Sequence, residues 1–168
     1  MTFAKLSKFP QHLSALMELD TFDFKLLDAL QRDASRTNAE LGSLVGLSAS
    51  QISRRRDRLE AEGIIRGYKA ELAAQELGFA VTVFIHITLA AHSPGNSDLL
   101  RKLILATPEI QEAHAMTGET DYLLRVSIRG LSELSSFVND RLLPHKAVAR
   151  VRSEIVLETI KDQRLLDI

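Results

Sequence analysis

The sequence predicts an α+β chain, in which a small helical domain built on a helix-turn-helix precedes a ferredoxin-like βαββαβ domain. Two capping boxes, "TNAE" from Thr37 and "SASQ" from Ser48, stand on either side of Gly46. "VTVFIHITL" alternates Val81, Val83, Ile85, Ile87 and Leu89 with Thr82, Phe84, His86 and Thr88, the period of a strand with one face in a core. Beyond it, strand and helix patterns follow one another as β, α, β, β, α, β.

The elements can be justified in order. In "DTFD", Asp20 is a capping residue with the Asp23 carboxylate three positions on, and Phe24, Leu26, Leu27 and Leu30 follow, so a helix is expected over about 21–32. Thr37 can accept the amide of Glu40 while Glu40 reaches back, opening a short helix with Leu41, Leu44 and Val45 inward. Gly46 permits a tight turn, and Ser48 with Gln51 opens a third helix ending at Gly63. From Ile64, "IIRGYKAEL" reads as extended, and 73–78 as a connection. After the alternating strand come a turn-rich "AHSPGNS", a helix over 98–107 stopped by Pro108, and strands around 110–116 and 122–128. A helix over 131–143 stopped by Pro144 and a strand over 151–158 complete the order. Both helices should cover one face of the sheet. Phe84, Leu123 and Val156 fall on the opposite strand parity, and a second copy of the domain is the simplest cover for them. The expected boundaries are an extension over 1–18, the helix-turn-helix domain over 19–70, a linker over 71–80, the second domain over 81–161 and a tail over 162–168.

Composition narrows the function classes. The 168 residues are 45% hydrophobic and 26% charged, with a net charge of -1, which fits a globular chain. Residues 1–70 carry 11 basic and 9 acidic side chains, residues 71–168 carry 10 and 13. So small a basic excess requires tight nucleic-acid binding to come from local clustering or from an oligomer. With no cysteine, disulfides, thiolate metal sites and a cysteine nucleophile are excluded, in keeping with a cytoplasmic location. No apolar run approaches the roughly 20 residues of a membrane span, and the first 18 residues lack a signal-peptide core, so an extra helix or loose arm is expected there. His86, His92, His114 and His145 are scattered without metal-ligand spacing. No catalytic residue, metal or cofactor is expected.

Two stretches carry candidate chemistry. On a wheel of about 100° per residue, Ile52 and Leu59 define the inward stripe of the third helix. Ser50, Arg54, Asp57 and Ala61 then point outward, Gln51 and Arg58 lie on one shoulder, and Arg55 and Arg56 lie nearer the core. Small polar residues, a glutamine and arginines at the start of such a helix suit a major groove. The bland alternative is a solvated face with pairs such as Arg56 with Glu60 and Arg58 with Glu62. In "TGETD", Gly118 supplies permissive backbone, Thr117 and exposed amides can hold a carboxylate, and Asp121 can receive an ammonium group. An ordinary turn rich in Gly, Thr and Asp is the competing reading.

The stretch from Leu19 to Leu72, with "MTGETDYLLRV" and "RSEIVLETIK" later, resembles the Lrp/AsnC (feast/famine) transcriptional regulators over about 19–161. The resemblance implies a winged helix-turn-helix domain followed by an effector-binding ferredoxin-like βαββαβ domain. It implies double-stranded DNA as partner, with Ser48, Ser50, Gln51 and Arg54 near base edges, Arg55 and Arg58 near phosphates, and Asn38 and Ser53 completing the set. It also implies an amino-acid-like effector held by Thr117, Gly118, Glu119, Thr120, Asp121 and Ser153 beside a neighbouring dimer, with assembly as a homodimer and onward to a tetramer or octamer, and no membrane. An AsnC-like enzyme of tetrapyrrole decarboxylation and a purely structural assembly module are the alternatives. Three departures mark this chain: Arg56 stands where the family usually has an apolar residue, Thr120 where it commonly has an aromatic, and Ser153-Glu154 where it usually has Thr-Ser.

Overall fold

The computed structural model describes residues 19–163 and 165–168; the helix or arm expected over 1–18 lies outside them. The chain forms two units. One runs to Ala70 and takes in Gln163–Ile168, and the other is Glu71–Asp162.

The first unit holds α1 (Thr21–Arg32), α2 (Asn38–Val45) and α3 (Ala49–Ala61). Each starts at a closed capping box, Asp20 with Asp23, Thr37 with Glu40, and Ser48 with Gln51, so each box satisfies two helix-end amides. α2 ends on Gly46 at φ 84°, the left-handed region that glycine enters at no steric cost. The turn closes on one carbonyl, because Gly46 N and Leu47 N both donate to Gly42 O at 2.8 and 2.9 Å. Leu26, Leu30, Leu41, Val45, Ile52 and Leu59 form the buried core. Leu44, expected inward, is not in it, and Leu44 and Phe24 are both exposed. They line an open cleft of about 460 Å³ with Ala29, Arg32, Arg36 and Ile168, because only one stripe of each short helix can face a core this small. Gln31 lies nearby and grips the main chain of Leu166 from both sides, Nε2 donating to Leu166 O at 2.7 Å and Oε1 accepting from Leu166 N at 2.9 Å. The segment after α3, read as extended, forms no strand among the described residues. Gly67 at φ 143° interrupts it.

The second unit is a four-stranded antiparallel sheet of order β2-β3-β1-β4, with β1 Val81–Leu89, β2 Ile110–Ala115, β3 Tyr122–Ile128 and β4 Val148–Ile155. α4 (Pro94–Leu105) and α5 (Leu131–Ser136), the latter continued by a π-helical stretch Phe137–Leu142, bury one face. Val83, Ile85, Ile87, Leu124 and Val126 pack there against Leu100, Phe137 and Leu142. The ferredoxin-like order is therefore present, and three boundaries shift. α4 begins at Pro94, four residues earlier than expected, because Ser93 caps it and proline is well suited to the first helical position. The helix expected over 131–143 turns π-helical midway, with Leu143 N donating to Val138 O. β4 starts three residues early and stops at Ile155, because it pairs only with β1, from Leu89 opposite Val148 to Val83 opposite Ile155. On the other face, Phe84 and Leu123 are half-buried, with Phe84 opposite Arg125 and Glu154 and Leu123 opposite His86 and His114.

A methyl group at Gly42 would collide with the Leu47 carbonyl oxygen. Gly42→Ala should therefore destabilise the helical unit by about 1–3 kcal/mol, as overpacking against fixed backbone does, lowering the urea midpoint of its unfolding.

Candidate nucleic-acid interface and effector turn

The start of α3 is a closed polar knot. Ser48 Oγ accepts from Gln51 N at 3.3 Å, and Gln51 Oε1 accepts from Ser48 N and Ser48 Oγ, both at 2.9 Å. Ser50 Oγ lies 3.1 Å from Ser48 Oγ. The cap thus uses the carbonyl end of the Gln51 amide, leaving its NH₂ as the end available to a ligand. Ser53 is half-buried.

The four arginines divide. Asp23, the third residue of α1, is fully buried. Its two oxygens take Arg55 Nη1 at 2.7 Å and Arg58 Nη2 at 2.6 Å, and Arg55 Nη1 also meets Asp20 at 2.8 Å and lies over the Phe22 ring. Arg55 and Arg58, expected near phosphates, turn their charged ends toward α1, and their side chains are 24% and 37% exposed. The physical cause is that a buried carboxylate cannot be left unpaired. Arg56 donates to Asn38 Oδ1 at 2.9 Å and to the Tyr68 hydroxyl at 3.2 Å, with its guanidinium over the Tyr68 ring. Tyr68 in turn donates to Glu60 at 2.7 Å. Arg56 therefore ties α3 to the start of α2 and to the following segment, and it occupies the side-chain oxygen of Asn38, a residue expected to meet DNA. Of the two solvated pairs of the bland reading, Arg58 and Glu62 form a loose ion pair at 4.0 Å, while Arg56 reaches Glu60 through Tyr68. Arg54 is exposed and joins none of these pairs among the described residues.

Burial pushes the Asp23 carboxyl upward. Hydrogen bonds from Arg55, from the Asp20 amide and from Arg58, with the Arg58 charge, outweigh it and hold the group below the ordinary 3.8. In Tyr68, burial and the bond to Glu60 push the phenol up, against Arg56.

In the second unit, Thr117, Gly118 and Glu119 are exposed and Thr120 is half-buried, with Gly118 at φ 120°. Asp121 closes the turn: its backbone accepts from Met116 N and donates to Ile87 O, both at 2.9 Å. Its Oδ2 accepts from Leu89 N at 2.8 Å, and its Oδ1 lies 3.2 Å from His92 Nδ1. The carboxylate expected to receive an ammonium group thus anchors the end of β1 with one oxygen and keeps the other beside His92. Ser153 is exposed on β4, paired with Ile85 of β1 and two register positions from the Ile87–Val151 pair. The turn and Ser153 therefore lie on different strands with β1 between them, and Ser153 shares strand parity with the helix-covered face.

Comparison with known proteins assigns both halves. Residues 19–60 match the AsnC-type helix-turn-helix domain and residues 82–166 the Lrp/AsnC ligand binding domain. The chain belongs to the Lrp/AsnC family of transcriptional regulators. Among its Lrp/AsnC relatives, the glutamate uptake regulatory protein of Zymomonas mobilis is 39% identical over 137 residues, 82% of this chain and 80% of the relative. The leucine-responsive regulatory protein of Rhizobium meliloti is 36% identical over 146 residues, 87% of this chain and 94% of that one. A Neisseria meningitidis transcriptional regulator solved in complex with L-Met superposes with a TM-score of 0.85 at 35% identity, over 88% of this chain and 96% of its own. Within this Lrp/AsnC chain, sequence reasoning missed the burial of Asp23, the roles of Tyr68 and His92, and the anchoring of Leu89 by Asp121. The "DTFD" box was the available signal for Asp23, but a cap accounts for it without any arginine.

The depressed Asp23 carboxyl makes the helical unit acid-sensitive. A group whose acidity is strengthened by folding stabilises the fold above its unfolded value, and that contribution disappears as pH falls through the folded one. Stability should be level above about pH 4 and fall below the unfolded value of 3.8. Asp23→Asn should flatten that fall in helical circular dichroism followed from pH 6 to pH 2.

Proposed function

We propose that this Lrp/AsnC regulator reads operator DNA through the exposed Arg54 at the front of α3, with Gln51 and Ser50 beside it. The observation that carries this reading is the partition of the arginines: three are fixed to other side chains, and Arg54 stands outward behind a polar knot. An arginine so placed suits the paired acceptors of guanine, N7 and O6. Gln51, with only its NH₂ to offer, suits an acceptor as well, and lacks the free carbonyl that two-point recognition of adenine requires. Ser48 and Ser53 complete the front of the helix, and Asn38 acts through Arg56.

The effector of the proposed switch is an amino acid, held by the amides and hydroxyls of 117–120 and the Asp121 oxygen beside His92, with Ser153 on β4. The relatives named for glutamate uptake and leucine response, and the neighbour solved with L-Met, support that class. A second copy covers Phe84 and Leu123 on the open sheet face, giving a dimer that builds a tetramer or octamer. Effector binding then shifts the assembly or its operator affinity. The protein acts in the cytoplasm, as a regulator with no catalysis of its own.

Arg54→Ala should weaken specific operator binding by about 1–3 kcal/mol; unchanged affinity in gel-shift titrations at fixed salt rules the assignment out. A charge placed among the open-face residues should oppose assembly. Leu123→Glu is expected to lower the mass in sedimentation equilibrium while leaving the circular dichroism of the subunit intact.

A further inference from the structure

We infer that buried Asp23 determines specificity by withholding Arg55 and Arg58 from the DNA backbone, so that α3 approaches its target with base-reading groups forward and little phosphate-binding charge. The inference rests on the DNA-binding reading above and concerns a residue which that reading leaves idle.

The geometry supports it in three ways. First, Arg55 follows Arg54 directly and Arg58 lies one helical turn beyond it, so both sit beside the reading face where unpaired cations would meet phosphates. Their charged ends instead close on Asp23 at 2.7 and 2.6 Å. Second, Arg55 is held again by Asp20 at 2.8 Å and by the face of Phe22, so its direction is fixed by groups on α1. Third, a join between α1 and α3 could also be built from apolar side chains, so the charge in this one calls for a further role. Ile52 and Leu59 already pack α3 into the core, and exchanging a buried ion pair for apolar side chains is often neutral or stabilising.

The consequence follows from how the two kinds of binding are powered. Non-specific affinity is almost wholly phosphate attraction, and each neutralised phosphate adds about 0.9 to the steepness of affinity against salt on logarithmic axes. Taking two arginines out of play lowers binding to random sequence, while base-edge contacts keep operator binding. The ratio between the two rises.

The test is a salt titration of the full chain against an operator selected in vitro and against a random-sequence duplex. Asp23→Asn keeps the shape of the residue and removes its charge. It should tighten random-sequence binding, steepen its salt dependence by about 0.9 for each arginine freed on each DNA-bound subunit, and narrow the gap to the operator. Arg58→Gln in the otherwise unchanged chain should leave the steepness as it was. The inference is overturned if a folded Asp23→Asn chain keeps the parent's steepness, or if Arg58→Gln loses about 0.9 of it per DNA-bound subunit, as an arginine already on a phosphate would. Should Asp23→Asn fail to fold, Arg58→Gln alone decides. A parent chain that binds neither duplex overturns the DNA-binding reading itself; a parent that binds both, with Arg58→Gln shallower, overturns only the restraint.

Discussion

The helical unit depends on one buried carboxylate. Among the described residues its buried apolar core is six side chains, a thin base for a domain in which surface outweighs interior. Asp23 joins the first turn of α1 to the middle of α3 through two arginines separated by almost one helical turn. Because both oxygens are engaged, α3 can neither slide along its axis nor roll without stranding a desolvated charge. That registration turns Ser50, Gln51 and Arg54 outward together. Arg56 adds a second fastening on another side, to Asn38 and Tyr68, so the helix is fixed by its polar residues as much as by Ile52 and Leu59.

The sheet unit obeys a different constraint. Both helices lie on one face, which concentrates the apolar burial there and leaves Phe84 and Leu123 among charged neighbours on the other. Arg125 lies 3.3 Å from Glu112, and His86 lies 3.3 Å from Glu154. A face of this mixed kind is soluble enough to fold alone and apolar enough to gain from being covered. At the end of β1, Asp121 shows how a turn residue can serve the scaffold with one oxygen and hold the other beside a histidine, His92.

Where local chemistry decides structure, the fold was legible in the sequence. The three capping boxes, Gly46 and the alternation of Val81 to Leu89 each speak through neighbours a few residues apart, and those elements lie where the pattern placed them. The start of α4 was missed because Ser93-Pro94 serves equally as a turn and as a helix opening. The limits of β4 were missed because an edge strand takes its length from its partner, which no local pattern encodes. The candidate site was half legible. A helical wheel separates outward Arg54 from inward-leaning Arg55 and Arg56, yet it cannot show that Asp23, 32 and 35 residues away in sequence, supplies the partner for Arg55 and Arg58. Arg56 looked anomalous for the same reason, since Tyr68 and Asn38 come together only after the helices pack.

The grip of Gln31 on Leu166 has a consequence for the order of synthesis. Because 163–168 belong to the helical unit, the whole sheet domain is threaded into that unit as an insertion. Domains generally fold as units as they emerge from the ribosome. The helix-turn-helix can therefore form early from its own capped helices, but the grip of Gln31 on Leu166 waits until the sheet domain between them has been made. A chain cut short before Leu166 would carry a helical unit one latch short.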